Sequence, residues 1–183
     1  MARIPAPAPV AWSVGVDQWV FGDGNYDDFA VGQRVELALE ATPMVDVTPV
    51  PDAPVHAAHR GADRYDVVGR VVHVDPAAWV LDVGVPAYVH GAAPDGVVAG
   101  RVVRTSIALG VDPFPYVARL HRLRRFPALV HTWDVTTIRR TTAKGTTSVA
   151  RTDAWRDGLN THYVLTCDLL PVPPQKTSVT AIP

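Results

Sequence analysis

The sequence contains a single cysteine, Cys167, among its 183 residues. One thiol excludes an intrachain disulfide, so the chain does not belong to the small secreted domains that depend on a disulfide framework. Long apolar runs are also missing, since no stretch approaches the roughly 18 residues that predict a membrane-spanning helix. The first ten residues, MARIPAPAPV, lack the apolar segment of a secretory signal peptide. We therefore expect a cytoplasmic protein without membrane contact.

Lysine is scarce as well, because 15 of the 17 basic residues are arginines. Together with abundant alanine, valine, glycine and proline, this bias is typical of GC-rich bacterial genomes. The motifs of common enzyme classes are absent. The chain has no Gly-x-Ser-x-Gly nucleophile elbow, no P-loop and no Gly-x-Gly-x-x-Gly motif after a strand. Nothing in the sequence argues positively for an enzyme, and we expect no cofactor.

Charge is divided unevenly along the chain. Residues 1–100 carry five arginines and thirteen carboxylates, a net charge of −8, whereas residues 101–156 carry eleven basic residues and three aspartates, a net charge of +8. The chain as a whole has a net charge of −1. Such asymmetry indicates either a polar partner or internal pairing of the two segments, and the sequence alone leaves both open.

Alternating hydrophobicity makes strands the dominant elements. Val35, Leu37 and Leu39 recur with a period of two, which predicts a strand with one buried face over 33–41. Similar patterns predict strands at 65–74, 78–83, 97–109, 128–139 and 162–170. One short helix is predicted where apolar residues fall at helical spacing, at Tyr116, Val117, Leu120 and Leu123.

Composition divides the chain into a central domain and two ends. We predict an N-terminal extension at 1–11, a single β-barrel domain at 12–170 and a proline-rich C-terminal tail at 171–183. Within the domain, the Pro/Ala-rich residues 42–64 and the basic, threonine-rich residues 140–160 are predicted to form two long loops. Regular short strands separated by turns favour a mainly β fold, a small antiparallel β-barrel.

The order of these elements resembles an OB-fold: three strands, a helix and two strands over residues 65–170. The segments Val31-Gly32-Gln33-Arg34-Val35 and Gly96-Val97-Val98-Ala99-Gly100-Arg101-Val102 are similar to strand openings in small barrels of this kind. The resemblance implies binding through the face of strands two and three and through neighbouring loops. It would place 140–160 between strands four and five and make the strand at 33–41 additional. The whole chain also resembles actinomycete proteins of unknown function, which imply no activity.

The basic segment 119–156 contains the residues most suited to contact a partner. Arginine side chains there could contact phosphates, and nearby aromatic rings could stack on bases. We predict a partner-binding set consisting of Arg119, Arg122, Arg124, Arg125, Arg139, Arg140, Lys144, Arg151 and Arg156 with the aromatic residues Tyr116 and Trp155. The alternative is a solvated or internally paired face, and the sequence pI of 6.6 is low for a nucleic-acid-binding domain.

Other groups of polar residues give weaker evidence for a functional site. Asp23, Asn25 and Asp27 match the first ligand positions of an EF-hand loop, but the required glycine is Asp28 and the final glutamate position is Arg34, so we interpret this stretch as a turn.

Histidine and cysteine also fail to form a recognisable site. His56 and His59 have aspartates nearby but no third ligand at metal-site spacing, so we predict no metal. Cys167 lies in an apolar strand pattern, and His162 falls on the opposite face of that strand because their separation is odd. A buried structural thiol is the favoured interpretation, and no catalytic residue is assigned.

These observations leave three hypotheses for function. The first is a non-enzymatic binding or protein-interaction domain, including self-association through the divided charge. The second is single-stranded nucleic-acid binding through 119–156. The third is a small-molecule enzyme with its site in a barrel mouth, which requires a concave pocket with converging polar groups.

Overall fold

Twelve strands form one continuous hydrogen-bonded sheet in the computed structural model, which describes residues 11–22, 24, 26–158 and 160–171. Apart from residues 11 and 171, the predicted N-terminal extension and C-terminal tail lie outside the described residues. The strands are β1 Ala11–Asp17, β2 Arg34–Leu37, β3 Leu39–Pro43, β4 Thr48–Val50, β5 His56–Gly61, β6 Arg64–Val74, β7 Ala78–Asp82, β8 Pro86–His90, β9 Val102–Val111, β10 His131–Thr142, β11 Gly145–Val149 and β12 His162–Leu169. The helices are short: α1 Trp19–Gly22, α2 Pro115–Ala118, a 3₁₀ turn Leu120–Arg122 and α3 Ala154–Asp157.

Five of these strands close into a barrel, which confirms the predicted mainly β fold with a small barrel. The ring runs β6–β7–β8–β3–β9 and returns to β6. All its pairings are antiparallel except β3 with β8, where Glu40 lies opposite Tyr88. All five strands contribute to one apolar cluster, which includes Leu39, Val71, Leu81 and Ile107. The interior of the barrel is therefore filled with side chains, each contributing about 1.5–3 kcal/mol of hydrophobic stabilisation.

The remaining strands continue the sheet beyond the ring. β1, β2, β10, β11 and β12, which we call the outer sheet, pair in the order β11–β10–β12–β1, and β2 also pairs with β10. The ladder connection to the barrel is narrow: β1 meets β9 in parallel at a single residue pair, Gly15 opposite Gly110. We call the line where β1 meets β9 the seam.

The strands expected at 128–139 and 162–170 are present as β10 and β12, but they lie in the outer sheet. The ring uses only residues 39–111, so the expected assignment of these two as barrel strands four and five differs from the structure. The reason is β1, a strand absent from the sequence prediction, because its full-length antiparallel pairing occupies one edge of β12. β1 is buried along five consecutive residues, although Trp12, Val14 and Val16 alternate with Ser13, Gly15 and Asp17 in the sequence, a period of two that the prediction did not use.

Both predicted loops contain strands. Residues 42–64 include β4 and β5, and residues 140–160 include the end of β10, β11 and α3. β10 and β11 form a hairpin whose turn holds Lys144 and Gly145, and Gly145 takes a left-handed φ of 121° that favours glycine. The threonines of this segment have high β propensity, which outweighs its polar composition.

Candidate functional site

Residues 112–130, which we call the cover segment, pack against one face of β7 and β8. Tyr116, Leu120 and Leu129 form a second apolar cluster with Val80 and Tyr88. The neighbours of Val80 and Tyr88 in the same strands belong to the barrel interior instead. Since side chains of a strand alternate between its faces, the cover segment lies on the outside of the barrel. The predicted helix at 116–123 is present only as α2 and the 3₁₀ turn.

Asp112 anchors the start of this segment. Its side chain is fully buried, and its Oδ1 accepts hydrogen bonds from the Tyr88 hydroxyl (2.6 Å) and from the backbone N–H groups of Phe114 and Tyr116 (3.1 Å each). Three donors on one buried carboxylate oxygen fix the direction in which the chain leaves β9.

Tyr116 closes the other end of the segment. Its hydroxyl donates to the Pro127 carbonyl (3.3 Å) and accepts from the Leu129 N–H (2.9 Å). Only 4% of the residue is exposed. Tyr116, expected as an aromatic platform for a partner, therefore presents no free ring face.

The arginines of the cover segment, unlike Tyr116, lie on its solvent-exposed side. Arg119, Arg122, Arg124 and Arg125, which we call the arginine patch, are all exposed. Among the described residues none of these four forms an ion pair. Four positive charges within seven residues are thus left to solvent, on an element anchored by buried contacts.

The remaining members of the predicted binding set lie on the outer sheet and α3. Three are paired: Arg140 with Asp157 at 2.6 Å, Arg151 with Asp28 at 3.7 Å and Arg156 with Asp153 at 3.6 Å. Arg139 is half-buried on β10, and Lys144 is exposed at the hairpin turn. Trp155 is 82% exposed on α3. The structure therefore places the predicted set on two separate groups of elements, and charge is uncompensated mainly on the cover segment.

Ion pairs within the described residues do little to neutralise the acidic segment 1–100 with the basic segment 101–156. Of the six Arg–Asp ion pairs there, only Arg151–Asp28 brings an acid of the first hundred residues to a base of 101–156. Arg34–Asp134 joins the same two segments with the charges reversed. Neither pair involves the arginine patch.

A concave pocket opens at the seam. It has a volume of about 180 Å³ and is lined by both seam glycines, by Trp19 and by the polar residues Asp17, Glu40, Thr42, Asp63 and His162. We call it the seam pocket. Ligand pockets for drug-sized molecules span about 300–1,000 Å³, so this one holds only a much smaller group.

His162 is held between two carboxylates in this pocket. Its Nδ1 lies 2.7 Å from Asp17 Oδ1, and its Nε2 lies 3.4 Å from Asp63 Oδ2. The hydrogen bonds to Asp17 and Asp63 raise the pKa of His162 to about 9, against the opposing effect of burial. The same contact with His162 lowers the pKa of Asp17. Burial acts to raise the pKa of Asp63, but the hydrogen bond and charge of His162 outweigh it and lower that pKa overall.

This arrangement is poorly suited to catalysis. A histidine that acts as a general base needs a ring nitrogen free to exchange a proton with substrate, and here both nitrogens face carboxylates. Among the residues that the structure describes, no serine or cysteine lines the pocket. Burial raises the pKa of the Cys167 thiol to about 12, so that thiol is not reactive.

The other acidic and histidine-containing segments have structural roles or do not form a metal site in the described part of the chain. Asp28 accepts hydrogen bonds from the Thr152 hydroxyl (2.8 Å) and the Ala154 N–H (3.1 Å), a structural role, while Asp23 and Asn25 lie outside the described residues. Over the described part of the chain, no group of three or more histidines, cysteines or carboxylates is placed to hold a metal ion. Within the same residues, no helix has the length and apolar character needed to cross a membrane.

The seam pocket had no detectable signal in the sequence. Asp17 and His162 are 145 residues apart, and they meet only because β1 pairs with β12 in the register that sets them opposite each other. No protein-family model matches the chain, and no curated protein or solved structure is significantly similar to it.

Proposed function

We propose that the protein is a non-enzymatic binding domain that recognises an acidic surface of a partner protein through the arginine patch. The observation that carries this proposal is the set of four exposed arginines with no ion pair within the described residues. Guanidinium groups form bidentate hydrogen bonds with carboxylates, and Arg is enriched at protein interfaces. We also propose that this binding takes place in the cytoplasm, because the one cysteine is a buried free thiol.

The anchoring of the cover segment supports binding of this kind. Asp112 and Tyr116 hold both ends of the segment through buried hydrogen bonds, so the backbone that carries the arginines is ordered before a partner arrives. Preorganisation lowers the entropic cost of association. Exposed Arg–carboxylate pairs contribute about 0.2–1 kcal/mol each, so the patch acts mainly on association rate and specificity.

Single-stranded nucleic acid is the second candidate ligand. The positions of the aromatic residues support it less well than they support binding of an acidic protein surface. Such binders combine a positive groove with exposed rings on which bases stack. Tyr116 is buried, and Trp155, although exposed, belongs to α3 and not to the cover segment that carries the patch. An OB-like barrel, which the five-stranded ring supports, commonly binds oligonucleotides on the face of its second and third strands. If β6, β7 and β8 are the first three strands of such a barrel, the cover segment occupies that face.

The test uses two probes labelled with a fluorophore: poly-L-glutamate as the acidic polypeptide and a 20-residue oligothymidylate as the nucleic acid. Binding is followed by fluorescence anisotropy at about 50 and 200 mM salt. We expect poly-L-glutamate to bind and to weaken as salt rises, because the contacts are exposed and screened. In the variant R122E/R124E the affinity should fall by about tenfold or more, since two attractions become repulsions.

R101E/R104E is the matched control. Arg101 and Arg104 are also exposed and lie on or beside β9, and their reversal changes the net charge by the same amount. The control should keep most of the wild-type affinity. Equal loss in both variants, or none in R122E/R124E, would refute a specific role for the patch. Patch-dependent binding of oligothymidylate that exceeds binding of poly-L-glutamate would establish the nucleic-acid alternative instead. Salt-dependent dimers in sedimentation velocity, lost in R122E/R124E, would identify the partner as a second copy of the chain.

A further inference from the structure

The seam is a weak point in an otherwise extensive sheet. Over the described residues, the ladder between β1 and β9 consists of the single pair Gly15 and Gly110. By contrast, β1 pairs with β12 along all seven of its residues. The backbone connection at the seam is short, so side chains supply most of the contact there, including Val14 and Val16 of β1 in the apolar core that β1 shares with the barrel.

His162 supplies part of this contact directly above the ladder pair. A Cβ atom added to Gly15 would lie 2.3 Å from Asp63 Oδ2 and 2.8 Å from His162 Cε1. The carboxylate and the imidazole therefore rest on the backbone of β1 at the residue that pairs with β9. His162 belongs to β12 of the outer sheet, while Asp63 lies in the turn that leads into β6 of the barrel.

The geometry favours a protonated imidazole. A neutral imidazole carries one N–H donor, whereas the imidazolium carries two. Both ring nitrogens of His162 face carboxylate oxygens, which can only accept while they are ionised. We propose that His162 is a pH-responsive clasp that fastens the outer sheet to the barrel while it is protonated and releases Asp63 when it loses its proton.

The surrounding charges make release favourable once the proton is gone. Asp17 faces the ring from β1 and Asp63 from the turn before β6. Glu40 of β3 also lines the seam pocket, but its interactions are with Tyr88, His90 and Asp112. The other basic side chain near this group is Arg64, whose charge acts on Asp63. Loss of the imidazolium charge leaves two carboxylates beside a neutral ring, and the elevated pKa of His162, about 9, is consistent with the attraction of Asp17 and Asp63 for its charged form.

We expect the loss of the His162 proton to open only part of the seam. The main apolar core includes Val14 of β1 together with interior residues of the barrel. The Tyr65 hydroxyl also accepts from the Ser13 N–H (2.6 Å) and donates to the Ser13 carbonyl (3.2 Å). These contacts keep the first half of β1 in place, so opening should be confined to the end of the seam that contains Gly15.

NMR spectroscopy of the full chain over pH 6–10.5 tests the clasp. The ring carbon resonances of His162 give its own titration midpoint, and the amide signals of Gly15 and Gly110 report the seam. We expect all three to share one midpoint near pH 9, with amide exchange at Gly110, corrected for its intrinsic pH dependence, at least tenfold faster above the midpoint. In D63N, which preserves the shape of the side chain, the midpoint should move to lower pH, because one stabilising charge is lost.

H56Q is the control, because His56 is exposed and its ring contacts only a nearby backbone carbonyl. It should leave the transition at Gly15 and Gly110 unchanged, whereas H162Q should abolish it. A His162 midpoint near the ordinary 6.5 would overturn the clasp. So would a midpoint near 9 at His162 with no accompanying change at the two glycines, since His162 would then titrate without controlling the seam. Signal dispersion in each spectrum shows directly whether a variant is folded.

Discussion

The Gly15→Ala substitution tests most directly how closely the clasp is fitted to the seam. The new Cβ would lie 2.3 Å from Asp63 Oδ2, whereas ordinary Cβ contacts begin near 3.4 Å, so the carboxylate must retreat by about 1.1 Å. Its contact with His162 Nε2 is already 3.4 Å long and would not survive that movement. Overpacking of a well-packed site costs about 1–3 kcal/mol. The lower chain entropy of alanine in the unfolded state returns about 0.4–1 kcal/mol.

The net expectation is a destabilisation of about 0–2.6 kcal/mol, which lowers the melting temperature of a chain of this size by up to about 10 °C. Differential scanning calorimetry at pH 7 measures it. Gly110→Ala is the matched control, because the same methyl group on the facing strand would meet only the Gly15 carbonyl oxygen, at 3.5 Å. The control should melt at the wild-type temperature or up to about 4 °C above it, because the lower chain entropy of alanine in the unfolded state applies there as well. If Gly15→Ala melts together with Gly110→Ala, the side chains above Gly15 are not fixed there and the clasp geometry is incorrect.

Two further predictions concern stability. The pKa of His162 is raised from 6.5 in the unfolded chain to about 9 in the folded one, so its contribution is complete below about pH 6.5 and is lost as pH rises through 9. Because a third of the side chain is exposed, we expect only about 1 kcal/mol of lost unfolding free energy between pH 6.5 and 9.5 in urea titrations, and no such loss in His162→Gln. Asp112→Ala leaves the Tyr88 hydroxyl and two backbone N–H groups without their buried acceptor and should cost about 3 kcal/mol in the same assay. Asp112→Asn keeps an acceptor oxygen and should cost clearly less, so equal costs would contradict this account.

The sequence predicts individual strands better than their arrangement. The period of two identified β6, β10 and β12, because each buries one face more than the other, and it also found β7, whose two faces are both buried. It joined β2 and β3 into a single strand at 33–41, although the chain changes partner at Ala38: β2 pairs with β10 and β3 with β9. A change of partner leaves no trace in a hydrophobic pattern, since both strands remain half-buried.

The candidate functional residues also divide into a part that the sequence could predict and a part that it could not. The arginine patch could be predicted because its four members are close in sequence and exposed. The seam pocket could not, because Asp17, Asp63 and His162 come from three distant segments, and their meeting depends on which strands β1 pairs with, which a hydrophobic pattern does not show. Tyr116 had the correct spacing for an apolar helix face, and its burial follows from that spacing. Its aromatic character alone suggested the incompatible role of a stacking platform.

The cover segment explains why a basic surface can exist on this barrel without loss of stability. Its apolar residues, Leu120 and Leu129 among them, bury the outer face of β7 and β8, and this burial supplies the free energy that orders the segment. The arginines then fall on the opposite side, where their charges stay hydrated and carry no desolvation cost. Ion pairs with the acidic part of the chain would add little stability at such exposed positions and would remove the charge that a partner can recognise. The lack of ion pairs at the arginine patch is therefore affordable for folding and useful for binding, and for this reason we place the binding surface there and not on the paired arginines of the outer sheet.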